Sequence, residues 1–157
     1  MKHTISVMVR NQSGVLARIA GLFSARGYNI DSLCVAQTHD PEFSCMTIVS
    51  EGDEKILEQI TKQLNKLIDV LKVNDFREQE CIIRELALVK VNSTATTRSE
   101  IMQLVDIFRA KIIDVSLKTL TIELTGPEAK IKAMIELLRP FGIKEIVQTG
   151  RVAMARK

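Results

Sequence analysis

The chain has 157 residues, 46% hydrophobic and 26% charged, proportions that fit one ordinary globular domain or two small ones. A formal net charge of +3 is too small to point to nucleic acid. No apolar run approaches the ~18–20 residues that cross a bilayer, and MKHTISVMVR alternates like a strand instead of forming a signal-peptide core, so a cytoplasmic location is expected.

In chain order, His3–Arg10 places Ile5, Val7 and Val9 on one face and predicts a strand. Residues 14–26 carry Leu16, Ile19, Ala20 and Phe23 at i, i+3, i+4, i+7, which predicts a helix with one buried stripe and Gly27 as its stop. Asn29–Thr38 and Phe43–Glu51 read as strands joined by the polar turn HDPE. Asp53 is placed to cap a second helix striped by Leu57, Ile60, Leu64 and Leu67, and Asp69–Phe76 closes the unit as a strand.

The second half repeats the plan. Arg84–Asn92 is a strand, and Thr97-Arg-Ser-Glu100 has capping-box spacing ahead of Ile101, Leu104, Val105 and Phe108. Lys111–Leu117 and Thr119–Thr125 form a strand pair. Pro127 suits the first turn of a helix carrying Ile131, Met134, Ile135 and Leu138, and Ile143–Thr149 is the last strand. The halves also match loosely in letters, GVLARIAGLF against SEIMQLVDIF and NIDSL against IIDVS.

Two βαββαβ units predict an α+β protein of tandem ferredoxin-like domains, 1–78 and 79–157, with the boundary in the charged segment 77–83. Each sheet would carry both helices on one face. In the first unit the other face, with Ser6, Met8, Cys34, Ala36, Thr47 and Val49, is left without an intramolecular cover, and a dimer is expected to close it.

Catalytic signatures do not emerge. His3 and His39 lack ligand spacing and read as surface histidines; Cys34, Cys45 and Cys81 form neither a disulfide framework nor a zinc motif. There is no G-x-S-x-G, Walker loop or G-x-G-x-x-G. An RNA-recognition reading needs stacking aromatics on the central strands, and aromatics are 4% of the chain. A metal-carrying ferredoxin-like domain needs C-x-x-C after the first strand, where this chain has NQSG.

That NQSG is the informative stretch. Helix N-termini expose unpaired N–H groups and partial positive charge, and so attract carboxylates. Gly14 lets a ligand approach the backbone, and Asn11 can donate to a carboxylate or accept from an ammonium group. Asn29-Ile30, from a loop expected near the same sheet edge, could contribute from a second copy, with Val15, Ile30 and Leu33 as an aliphatic lining. A free amino acid fits such a site. The plainer alternative is that Ser13 caps the helix and Asn29 makes a turn.

NQSGVLARIAGLFSARGYNIDSL resembles the opening of the regulatory, or small, subunits of acetohydroxyacid (acetolactate) synthase, whose N-terminal half is an ACT domain. MTIVSEGDEKILEQITKQLNKLIDVLKV, RELALVKV and FRAKIIDVS extend the likeness over nearly the whole chain; in VQTG, Gln148 stands where the family commonly has a basic residue. The resemblance implies a chain that catalyses nothing alone, binds no cofactor or metal itself, and partners a catalytic large subunit carrying thiamine diphosphate, Mg²⁺ and FAD. It would activate that subunit and confer feedback inhibition by a branched-chain amino acid, typically valine, bound between the ACT domains of a homodimer. Carried over by motif, the effector residues are Asn11, Gly14, Val15, Asn29 and Ile30, with Ser13 and Leu16 beside them. The amides of Gly14 and Val15 would hold the carboxylate, Asn11 and Asn29 the amino end. A stand-alone ACT-type sensor acting on another partner is the alternative.

Overall fold

The computed structural model describes residues 1–77 and 79–157. The first unit runs β1 (Lys2–Arg10), α1 (Val15–Ala25), β2 (Ile30–Gln37), β3 (Phe43–Glu51), α2 (Glu54–Leu64) and β4 (Val70–Asp75). The second runs β5 (Cys81–Asn92), α3 (Arg98–Ile107), β6 (Lys111–Val115), β7 (Thr119–Gly126), α4 (Glu128–Leu138), a 3-10 turn over Arg139–Phe141 and β8 (Ile143–Gln148). A further strand, β9 (Val152–Ala155), was not anticipated.

The first sheet has the antiparallel order β2-β3-β1-β4, the split-βαβ arrangement in which the first and third strands are central. Pairings Ile5↔Ile48 and Val7↔Met46 put the apolar side of β1 and β3 toward the helices. There Ile19 and Phe23 of α1 meet Leu57, Ile60 and Leu64 of α2 in one core. Burying each such side chain contributes about 1.5–3 kcal/mol. The α1 stripe lies one residue away from its expected start: Val15, Ile19 and Phe23 are buried, while Leu16 is 43% exposed. Helix α1 ends as Gly27 predicts, with φ +70° there and the Tyr28 N–H returning to the Phe23 carbonyl at 2.9 Å. Asp53 caps α2 as expected, its Oδ1 accepting from the Lys55 N–H at 3.0 Å.

The second sheet repeats the order as β6-β7-β5-β8, with β9 pairing β5 off that path. Its core gathers Val89, Val91, Ile101, Leu120, Ile122, Ile131, Met134 and Leu138. The capping box expected at Thr97 is replaced by a different device. Thr97 makes no side-chain cap, and Thr94, three residues earlier, accepts the Thr97 N–H on its own hydroxyl at 3.2 Å.

The compact units are Met1–Ile82 together with Arg151–Lys157, and Ile83–Gly150. The last seven residues therefore fold with the first unit. The expectation that the outer face of the first sheet has no cover within the chain needs correction. Thr4, Ser32 and Val49 lie in one row on that face, and Arg151 reaches both ends of it. Its backbone N–H donates to Ser32 Oγ at 3.1 Å and its guanidinium to Thr4 Oγ1 at 2.9 Å. Beside β9, the Arg156 N–H donates to the Glu80 carbonyl. Val49 and Thr4 are buried as a result.

His3 is the other correction. It continues the inward positions of Ile5, Val7 and Val9, is only 3% exposed, and leaves both ring nitrogens without a hydrogen-bond partner among the described residues. His39 lies exposed in its turn, as expected.

Candidate functional site

The chain leaves β1 at Arg10 and is fastened at once to the β2–β3 turn. The Asn11 N–H donates to the Glu42 carbonyl at 2.7 Å, and Asn11 Nδ2 donates to the Pro41 carbonyl at 3.0 Å. Gln37 Nε2 donates to the same Pro41 carbonyl at 3.1 Å. The Asn11 amide is therefore a clamp on the loop, with its own oxygen left to accept.

Gly14 then opens α1 with φ +85°, a left-handed conformation that costs other residues about 1–2 kcal/mol. A Cβ built there would meet nothing within 4 Å, so the corner is open. Among the described residues no side chain caps this helix, and its first turn carries no acidic residue. Ser13 is exposed and is not the cap that the plainer alternative made of it. The Val15 N–H points back to the Gln12 carbonyl at a long 3.4 Å. The Leu16 and Ala17 amides are first-turn groups that have no acceptor within the helix. The entrance thus presents backbone donors and the positive end of the helix dipole to solvent.

Side chains sort differently from the expected lining. Val15 is in the core, so only its backbone reaches this surface, whereas Leu16 stands outside. One turn into the helix Arg18 pairs with Asp69, and the Asp69 carbonyl accepts from the Arg10 N–H at 2.9 Å. This pair bracing the entrance went unnoticed in the sequence, though Arg18 stands four residues from Gly14.

Asn29 and Ile30 do not join this corner within one chain. Ile30 pairs with Ser50, which pairs with His3, whereas Gln37 pairs with Ser44, opposite Val9. The two loops therefore sit at opposite ends of the sheet, about 23 Å apart along β2, and not near the same edge. Asn29 is itself well held: its carbonyl accepts from Ser50 Oγ at 2.7 Å and its Nδ2 donates to Asp31 Oδ1 at 2.9 Å. Ile30 packs against the first core.

The equivalent entrance in the second unit is closed. The Thr94 hydroxyl bonds those of Thr96 and Thr97, each at 3.0 Å, ahead of α3, and Arg98 is spent on Ser93 Oγ and the Ser116 carbonyl. A shallow depression of about 290 Å³ on the outer face of the second sheet holds Asp114 beside a Lys90–Glu145 pair at 3.6 Å, charges that do not favour an acid. Among the described residues no group of His, Cys, Asp or Glu could hold a metal ion, and no helix is long and apolar enough to cross a membrane.

Two family models match the chain. The AHAS small subunit-like ACT domain matches residues 5–72, and the model described as the small subunit of acetolactate synthase matches 84–157. The acetolactate synthase small subunit of Aquifex aeolicus is 54% identical, over 99% of this chain and 82% of that one. That of Mycolicibacterium smegmatis is 51% identical, over 98% and 91%. The crystal structure of the acetolactate synthase small subunit from Thermotoga maritima superposes with a TM-score of 0.90 at 43% identity, covering 100% of this chain and 98% of that one. An ACT domain followed by a second ferredoxin-like domain, with these relatives matching nearly the whole of this chain, places it in the acetolactate synthase small-subunit family.

Proposed function

We propose that this chain is the non-catalytic regulatory subunit of acetolactate synthase, activating a catalytic large subunit and making it sensitive to a branched-chain amino acid, valine first among them. The thiamine diphosphate, Mg²⁺ and FAD of the reaction belong in this reading to the large subunit. The observation that carries it is the open, uncapped entrance of α1 at Gly14 in a chain of this family. Backbone N–H groups there, Gly14 and Val15 foremost, take the carboxylate.

The separation of Asn29 from Gly14 then acquires a meaning. Strand β2 is an edge of the first sheet. If a second copy adds its β2 antiparallel to that edge, its Asn29-Ile30 end arrives at the Gln37 end of the first, where Asn11, Ser13 and Gly14 lie. Two equivalent sites result from one two-fold axis. Asn29 of the second copy orients the amino group, and Ile30 and the outward Leu16 line the aliphatic side. A pocket shared between copies changes with their rotation, and that gives the effector unequal affinity for two quaternary states, without which binding shifts nothing.

The test is to add the purified chain to a catalytic subunit and measure acetolactate formation with and without valine. Stimulation by the chain and its loss with valine are expected; no stimulation and no valine response would remove the proposal.

A further inference from the structure

Helix α2 ends at Leu64, and the chain turns sharply before β4. The Val70 N–H donates to the Leu67 carbonyl at 3.2 Å, which closes a turn with Ile68 and Asp69 at its two corners. Such corners favour proline, glycine or short polar residues, for reasons of backbone shape and local hydrogen bonding. Here the first corner carries an isoleucine that is 86% exposed. Among the described residues of the first unit, only the terminal Met1 is a more exposed large hydrophobic residue. Three residues on, Leu71 is 52% exposed. Its neighbours Val70 and Lys72 pair with the adjacent residues Val9 and Met8, so Leu71 is the extra residue of a β-bulge. Lys66 and Lys72 flank the two, both exposed and neither ion-paired among the described residues. Aliphatic residues scattered singly on a surface are ordinary. Two that a turn and a bulge both push outward, between unpaired cations, form a knob.

The fold narrows what can sit on this knob. Strand β4 is the edge of the first sheet opposite β2, three strand spacings or about 14 Å away. A second copy added at β2 therefore leaves it bare. The unit's own helices and the Arg151 segment lie on the two faces of the sheet and leave Ile68 and Leu71 to solvent. The bulge and Lys72 interrupt the strand, the usual defence against a further strand adding, so the contact is one of side chains with a pocket. A small-subunit family implies a catalytic large subunit as partner. The turn also joins the knob to the effector entrance. Asp69, its second corner, pairs with Arg18 of α1, and the Asp69 carbonyl accepts from the Arg10 N–H at 2.9 Å, just ahead of Asn11. A partner seated on Ile68 and Leu71 touches the same turn that braces the entrance.

We infer that Ile68 and Leu71 dock the catalytic large subunit, entering an aliphatic pocket whose acidic rim meets Lys66 and Lys72. The inference rests on the reading of the chain as the regulatory subunit and names the surface through which that subunit is held.

A benzophenone amino acid in place of Ile68 in the full-length chain, irradiated with a catalytic large subunit, is expected to give a covalent product between the two. A product between two small chains, or none, overturns the inference. This experiment reads docking alone. A chain that crosslinks yet neither stimulates the large subunit nor brings valine sensitivity would sink the regulatory reading and leave the docking surface in place. The amount of chain needed for half-maximal acetolactate formation should rise at least tenfold for Ile68→Asp, and further for Ile68→Asp/Leu71→Asp. Lys66→Glu/Lys72→Glu should raise it several-fold, and less in added salt. Leu137→Asp, at a comparably exposed position on α4, should leave it unchanged. Valine affinity by calorimetry and sedimentation mass should stay those of the parent. Aspartate variants that stimulate like the parent overturn the inference. So does a loss of stimulation that comes with lost valine binding, which would make the turn a part of the effector site.

Discussion

Replacing Gly14 by aspartate separates the charge at the helix entrance from its shape. A Cβ at this position meets nothing within 4 Å, so sterics contribute little. The left-handed φ of +85° costs about 1–2 kcal/mol for an ordinary residue, less for Asp or Asn, which visit this region most readily. Against this a carboxylate at an uncapped helix start returns about 0.3–1 kcal/mol. Folding stability should therefore change by about 1 kcal/mol or less, a shift of a few degrees in thermal midpoint. Binding should respond very differently. Two carboxylates about 4 Å apart near a protein surface repel by roughly 4 kcal/mol, which is about a thousandfold in affinity. Titration calorimetry with valine on Gly14→Asp, beside the neutral Gly14→Asn, reads the difference. The aspartate variant should show no measurable binding, and the asparagine variant should stay within about tenfold of the parent. An aspartate variant that still binds valine normally would refute the placement of the carboxylate. An asparagine variant that loses as much as the aspartate would refute the electrostatic argument.

Other consequences of the packing are equally open to measurement. Phe23→Ala empties a fully buried ring site between α1 and the sheet and should cost about 3–5 kcal/mol in denaturant unfolding of the first unit. His3→Leu removes two buried nitrogens that have no partner among the described residues, so it should leave stability unchanged or raise it by about 1 kcal/mol, where a lost native hydrogen bond would lower it. Gly52→Ala would bring a methyl to 2.3 Å from the Tyr28 ring, and about 1–3 kcal/mol of destabilisation is expected, relieved when Tyr28 is also truncated to alanine. Arg151→Ala deletes the guanidinium bond to Thr4 while keeping the backbone bond to Ser32, and should lower the stability of the first unit by about 1–2 kcal/mol while leaving the second unit's unfolding unchanged.

Much of the architecture was written in local patterns. The alternation of Ile5, Val7 and Val9 and the stripes of α2, α3 and α4 name the inward faces because burial repeats with the period of each element. The same alternation extended backward marks His3 as inward, a signal outweighed by the usual surface habit of histidine. Leu16 failed for a related reason: Val15 and Leu16 are adjacent apolar residues, and a stripe begun at either fits the spacing, so only packing decides. What the sequence could not disclose was anything set by distant pairing. The Arg151 strap joins residues 119 and 147 positions apart. The opposite-end placement of Gly14 and Asn29 follows from strand register, which no single segment encodes. The NQSG entrance was legible because its chemistry, a glycine and small polar groups before an apolar helix, is local.

The strap has a bearing on how the protein is made. Residues 151–157 leave the ribosome only after Ile83–Gly150, a stretch of 68 residues. At ~5–20 residues per second that interval lasts roughly three to fourteen seconds. Throughout it the first unit has its helices and four strands, yet Val49 and its neighbours still face the solvent. Nascent chains on one messenger pass through this stage side by side, and the edge of β2 is already complete. Under the proposed β2 pairing, two copies can therefore meet before residues 151–157 emerge to seal the outer face of the first sheet.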